Sequence, residues 1–174
     1  MTAAPWSSIT LLDSSHDVLG FKTGLDSVDG WFCEKALNEQ AAGRVSTHVC
    51  LSDQTEIMAF YALKHIIVNL EGSSRRLRDT AESGADGATT GLLLAQMGVR
   101  ADLQGAGVGK CVVKQVLQVA ADLHNQSAFR LLVVDAENPK LLPYYEKYGF
   151  TPLANDLRMV MKMSAVHEIV GGLT

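Results

Sequence analysis

Between an apolar run ending at Val99 and an apolar-striped segment beginning at Val108 stands Gln104-Gly105-Ala106-Gly107-Val108-Gly109-Lys110. Glycines let a backbone turn with its N–H groups facing inward and let a ligand approach closely. The helix expected directly afterwards adds unpaired N–H donors and partial positive charge at its N-terminus. That combination suits a phosphate or pyrophosphate, and Lys110 is available to neutralise its charge. The spacing is not that of a Walker loop, because GxxxGK is too short and Cys111 follows the lysine. Nor is it a Rossmann fingerprint, since the order is GxGxG and the unit lies late in the chain. Taken alone, the glycines fit a tight turn or close packing as well.

A second segment, Asn138 to Phe150, follows the next apolar run, Leu131 to Asp135. One helix and one strand separate it from the glycine cluster. With both in view, the chain resembles the GCN5-related N-acetyltransferases, the GNAT family. That family carries an [RQ]xxGx[GA] loop, matched by Gln104, Gly107 and Gly109. It also carries an N…YE[KR]xGF segment, matched by Asn138, Tyr145, Glu146, Lys147, Gly149 and Phe150.

The resemblance implies an α/β (α+β) fold with a mixed, mostly antiparallel central sheet, splayed at the cofactor site and flanked by helices on both faces. One GNAT domain would then fill residues 1–174. The implied co-substrate is acetyl-CoA, with no metal. Met97, Gly98 and Val99 would offer backbone groups to its pantetheine arm. Gln104, Gly105, Ala106, Gly107, Val108, Gly109 and Lys110 would cradle its pyrophosphate. Asn138 would contact it from the exit of the following strand. Tyr145 would give a proton to the departing thiolate, a task that suits a phenol of pKa about 10. Backbone N–H groups on the splayed strand would hold the developing oxyanion. Without the motif, Tyr145 reads as a packed helix aromatic. Tyr144 and Tyr148 read as packing residues and Phe150 as core.

Phe21-Lys-Thr-Gly24-Leu-Asp-Ser-Val-Asp29-Gly-Trp31-Phe32 is similar to the FxxGxxxLDxWL opening of GNAT toxins from toxin–antitoxin pairs, and the likeness extends over residues 21–163. It implies acetylation of the α-amino group of aminoacyl-tRNA, a ribbon–helix–helix antitoxin as partner and a homodimer. Arg75, Arg76 and Arg78 would then meet the substrate, with Arg44 and Arg100 extending the basic patch. The same run also reads as a solvated loop whose field is diluted by Glu71, Asp79, Glu82 and Asp86. An acetyl acceptor must be a neutral amine, and an α-amine (pKa about 8) loses its proton far more readily than a lysine (about 10.4). Leu92 to Val99 holds no carboxylate that could serve as a base, and Gln96 cannot titrate. His48 and His65 read as structural or surface residues. A small-molecule amine or a protein N-terminus is the alternative acceptor. A non-catalytic acyl-CoA-binding module is a third reading.

The elements that must position these residues follow from periodicity. The pattern predicts strands over residues 9–12, 45–51, 57–68, 92–99, 131–135 and 157–163. Helices are expected over 26–40, from Val108 to about Leu123, and over 139–148. Residues 71–90 lack core-forming side chains and read as a surface loop, either functional or a tolerated insertion. At 174 residues the chain can bury a sizeable core without staples. Its 15 basic and 19 acidic residues, a net charge of −4, exclude a wholly basic, non-specific nucleic-acid binder. Three cysteines without CxxC spacing give neither a disulfide framework nor a zinc site. No basic residue precedes Lys22 and no apolar run approaches about 20 residues, so a cytoplasmic protein without a membrane span is expected.

Overall fold

The computed structural model describes residues 3–81, 83–154 and 156–172; Glu82, named above among the diluting acids, lies outside them. The elements run β1 (Ser8–Leu11), α1 (Asp26–Glu34), α2 (Ala36–Ala41), β2 (Ser46–Leu51), β3 (Ile57–Asn69), α3 (Arg75–Thr80), β4 (Ala88–Val99), α4 (Val108–Gln126), β5 (Leu131–Asp135), α5 (Leu142–Glu146), β6 (Thr151–Pro152), β7 (Arg158–Lys162) and α6 (Met163–Gly171). Hydrogen-bonded neighbours follow the order β1-β2-β3-β4-β5-β7-β6 in one mixed, open, seven-stranded sheet. Helices flank it, as the sequence led us to expect. The chain divides into two compact units, residues 1–64 with 95–116, and residues 65–94 with 117–174.

In the first unit β1 pairs antiparallel with β2, from Ser8↔Leu51 to Leu11↔His48, and β2 pairs antiparallel with β3. Phe21, Phe32 and Phe60 form the centre of its core, each at most 2% exposed. Phe32 stacks on Phe60 with centroids 4.2 Å apart, and Phe21 meets both rings. Aromatic rings of this size contribute heavily to a core because each buries a large apolar area. The helix expected over 26–40 forms as two segments, because the backbone at Lys35 widens to φ −120°. Gly30 does not interrupt α1.

In the second unit β4 runs parallel to β5, from Gly91↔Leu131 to Leu94↔Val134, while β4 itself continues to Val99. β5 pairs antiparallel with β7 and β7 with β6. The continuous apolar runs Leu92–Leu94 and Leu131–Val134 are buried on both faces. At the end of β5, Asp135 receives a two-pronged ion pair from Arg158, at 2.7 and 2.8 Å.

Two expectations are corrected here. Residues 71–90 are not all loop. Ser74 caps the short helix α3 by accepting from the Leu77 N–H at 3.2 Å, and β4 already begins at Ala88. The last strand ends at Lys162, and Met163, Val166 and Val170 bury one side of helix α6. The two-residue strand β6 was not anticipated. No helix among the described residues is long and apolar enough to cross a membrane.

Candidate active site

The expected site residues fall into both units, and each group is built by its own surroundings. In the first unit Gly98 lies in β4 where a Cβ would stand 2.6 Å from Phe60 Cε1 and 2.7 Å from Thr23 Cγ2. Only a glycine lets Met97-Gly98-Val99 pass that close to the core. Beyond Val99 the chain makes a 3-10 turn over Ala101–Leu103 and reaches Gln104. The Gln104 side chain folds back onto the protein. Its Nε2 donates to the carbonyl of Thr23 at 2.7 Å and to that of Val99 at 2.9 Å, which ties the loop down at its entry.

Gly105 and Gly107 then take φ values of +78° and +84°, in the left-handed region where other residues are strained. Nothing lies within 4 Å of where either Cβ would stand, so the loop presents an open cradle. Helix α4 opens at Val108, and the Cys111 N–H bonds back to the Gly107 carbonyl at 3.2 Å. The N–H groups ahead of it belong to the first turn, which has no intrahelical acceptors of its own. Ala106, Gly109 and Lys110 share this stretch. The cradle, the helix terminus and Lys110 together suit a phosphate or pyrophosphate group.

Thr23 and Asp29, which motif matching left without a role, belong to the same surroundings. The buried Asp29 carboxylate accepts from the Thr23 N–H and Oγ1, each at 2.7 Å, and from the Gly24 N–H at 3.2 Å. Burial works to raise its pKa, but these bonds and the Lys22 charge outweigh it and hold the carboxyl below the usual range. The available signal was an acid inside an otherwise apolar motif.

Arg100 also lies here, and it is not free. It forks onto Asp102 at 2.7 and 3.1 Å and reaches Glu56 at 3.4 Å. Arg44 pairs with Glu39 at 3.1 Å. His48 stacks on Tyr61 with centroids 5.0 Å apart, and burial lowers its pKa, so it stays neutral.

In the second unit Asn138 caps the turn Pro139–Leu141, accepting from the Lys140 N–H at 3.0 Å. Tyr145 lies in α5 with 7% exposure. Its ring meets Tyr144 edge-on at 5.3 Å and Phe150 at 6.0 Å. Among the described residues nothing hydrogen-bonds its hydroxyl. Burial, with Tyr148 and Glu137 nearby, pushes its pKa up to about 12, so the phenol keeps its proton at neutral pH. Tyr144 and Tyr148 pack edge-to-face, with the Lys147 ammonium 4.5 Å above the Tyr144 ring.

Arg75, Arg76 and Arg78 sit on α3, where Arg75 approaches Asp79 at 3.6 Å. A cavity of about 550 Å³ in this unit is lined by Arg76, Lys162, Thr151, Leu77, Pro152 and Met161 among others. No carboxylate lines it among the described residues, and neither Arg76 nor Lys162 is ion-paired there. No group of three or more metal-ligating side chains occurs among the described residues.

Comparison with known proteins agrees with this geometry. The profile of the Acetyltransferase (GNAT) family matches residues 32–150, most of the chain. The chain belongs to the GNAT family of acetyltransferases. Among solved structures, a tyrosine-to-phenylalanine mutant of KacT superposes with a TM-score of 0.82 at 16% identity, over 93% of this chain and 98% of that one. AtaT complexed with acetyl-methionyl-tRNAfMet gives 0.82 at 15% identity, over the same shares. A tyrosine-to-phenylalanine mutant of the AtaT toxin, bound to acetyl-CoA and the C-terminus of the antitoxin AtaR, gives 0.78 at 16%, over 94% and 97%.

Proposed function

We propose that this chain is an acetyl-CoA-dependent N-acetyltransferase that acetylates the α-amino group of aminoacyl-tRNA and acts as the toxin of a toxin–antitoxin pair. The observation that carries the donor half is the open Gly105–Gly107 cradle, anchored by Gln104 and running into α4. The backbone of Gln104 to Lys110 holds the pyrophosphate, and Met97 to Val99 and Asn138 hold the rest of the donor. Acetyl-CoA supplies an acetyl group activated as a thioester. Tyr145 holds a proton on its Oη and gives it to the coenzyme A sulfur as the C–S bond breaks, while the acceptor nitrogen forms the new C–N bond and gives up one proton, which restores the phenol and leaves an amide and a free thiol. Its burial keeps the phenol protonated at neutral pH, the form that has a proton to give.

The acceptor half rests on likeness to a fold that binds acetyl-methionyl-tRNA in AtaT, and on the cavity with Arg76 and Lys162, which no carboxylate lines among the described residues. Arg75 and Arg78 flank it on α3 and would add phosphate contacts. β4 carries no carboxylate along its length, which suits an amine that needs little help to lose a proton. A ribbon–helix–helix antitoxin, a homodimer and a cytoplasmic location complete the reading. Purified protein with acetyl-CoA and charged tRNA should yield acetyl-aminoacyl-tRNA, and expression should arrest growth unless Tyr145→Phe is introduced.

One observation favours a second acceptor class. Arg44 and Arg100 are engaged by Glu39, Asp102 and Glu56, so the basic patch is smaller than the sequence suggests. Thiol release with free amines or peptide N-termini, and none with charged tRNA, would establish that alternative.

A further inference from the structure

The strap Lys22-Thr23-Gly24 braces the exit of β4 at three points. The Lys22 carbonyl accepts from the Ala101 N–H at 2.9 Å. The Thr23 carbonyl accepts from Gln104 Nε2 at 2.7 Å. The Thr23 methyl occupies the space that a side chain at residue 98 would need. A strap of irregular backbone holds such a shape only if its own polar groups are fixed. Asp29 fixes them. Its Oδ1 takes both Thr23 donors, its Oδ2 takes the Gly24 N–H, and the Thr23 Oγ1 in turn accepts from the Leu25 N–H at 3.1 Å. Asp29 is itself fixed in α1, where its N–H bonds to the Leu25 carbonyl at 2.9 Å. The chain of contact therefore runs from a buried carboxylate through one threonine to the glutamine at the mouth of the glycine loop.

We propose that Asp29 and Thr23 are positioning residues for the glycine loop, setting its affinity for the acyl donor through Gln104. The inference rests on the reading that this loop binds acetyl-CoA. A carboxylate at residue 29 is required because three donors converge on it. An amide there would turn an N–H toward at least one of them, leaving a buried donor unpaired. The strap would then relax, and Gln104 would lose the carbonyl that orients it.

The test is calorimetric titration of the full chain with acetyl-CoA, using Asp29→Asn, Gln104→Ala and the double variant. Asp29→Asn and Gln104→Ala should each weaken binding about tenfold, since a loop displaced by a fraction of an ångström no longer presents its donors together. The double variant should bind no more weakly than the weaker single, because the two act through one path. In turnover the loss should appear as a raised KM for acetyl-CoA with kcat nearly unchanged. Wild-type affinity in Asp29→Asn, or its full factor recurring in the Gln104→Ala background, overturns the proposal. Should Asp29→Asn fail to fold, Thr23→Val carries the same expectation, since it keeps the branched shape beside Gly98 and loses only the hydroxyl. A wild type without affinity for acetyl-CoA overturns the donor reading and this inference together. Failure to acetylate tRNA touches only the acceptor assignment.

Discussion

Tyr145 and Phe150 meet edge-to-face, with ring centroids 6.0 Å apart and planes inclined by 76°. The contact depends on the chain reversing after α5, where Gly149 takes φ +102° and the Phe150 N–H returns to the Tyr145 carbonyl at 3.4 Å. The ring of Tyr145 is thus held by its neighbours, and its hydroxyl is the only part left for chemistry. Tyr145→Phe keeps every ring contact and removes the proton. It should lower kcat by roughly 10²–10³-fold, within the range of lost general-acid catalysis, and leave the melting temperature almost unmoved. Thiol-release kinetics and a thermal melt check both halves, and an unchanged kcat would remove the proton-donor assignment.

A pH dependence follows from two phenols. Burial raises Tyr145 and Tyr61 from 10.0 to about 12. Between those values the folded chain retains protons that the unfolded chain has released, so folding binds protons and stability falls as pH rises. The contribution is complete below pH 10 and is lost through about pH 12. Denaturant midpoints should decline across that window, and less steeply in the Tyr61→Phe/Tyr145→Phe double variant. Activity at neutral pH should show no ionisation of Tyr145.

Much of this was legible in the sequence, and the reasons are local. The Gln104–Lys110 loop and the α4 stripe are short-range patterns, and the structure places them at the end of β4 as expected. α3 was illegible because Leu77 is its one large apolar residue, and it is held by the Ser74 cap and the Arg75–Asp79 approach instead. The role of Asp29 was illegible for a different reason. Thr23 and Gln104 are separated by 81 positions, and no periodicity reports a carbonyl accepting from a side chain so far along the chain. The pairing of Arg100 with Asp102 and Glu56 was illegible too, because a list of arginines does not show which of them meet acids in the fold.

Two glycines in the same neighbourhood should fail for different reasons. Gly98→Ala forces a methyl to within 2.6 Å of Phe60 and should destabilise folding by about 1–3 kcal/mol, as overpacking does. Gly107→Ala meets no atom, but φ +84° costs an L-residue about 1–2 kcal/mol, and the loop relieves that strain by changing shape. Its melting temperature should fall less than that of Gly98→Ala, while its affinity for acetyl-CoA should fall more. Thermal melts and titrations on the two variants separate packing from cradle geometry.

Charge at the second unit's cavity gives the sharpest test of the acceptor. Arg76 and Lys162 line it with no carboxylate among the described residues, in a protein whose net charge is −4. If they meet phosphates, each contributes to the salt dependence of tRNA binding, by about 0.7–0.9 in the slope of log K against log salt. Arg76→Gln and Lys162→Gln should each flatten that slope by about this amount, and KM for acetyl-CoA should stay put. Arg100→Gln should behave oppositely. Its fork onto Asp102 holds the turn ahead of Gln104, so its loss should lower stability and donor affinity with the tRNA salt slope unchanged. A slope that moves with Arg100 and not with Arg76 or Lys162 would place the acceptor elsewhere on the molecule.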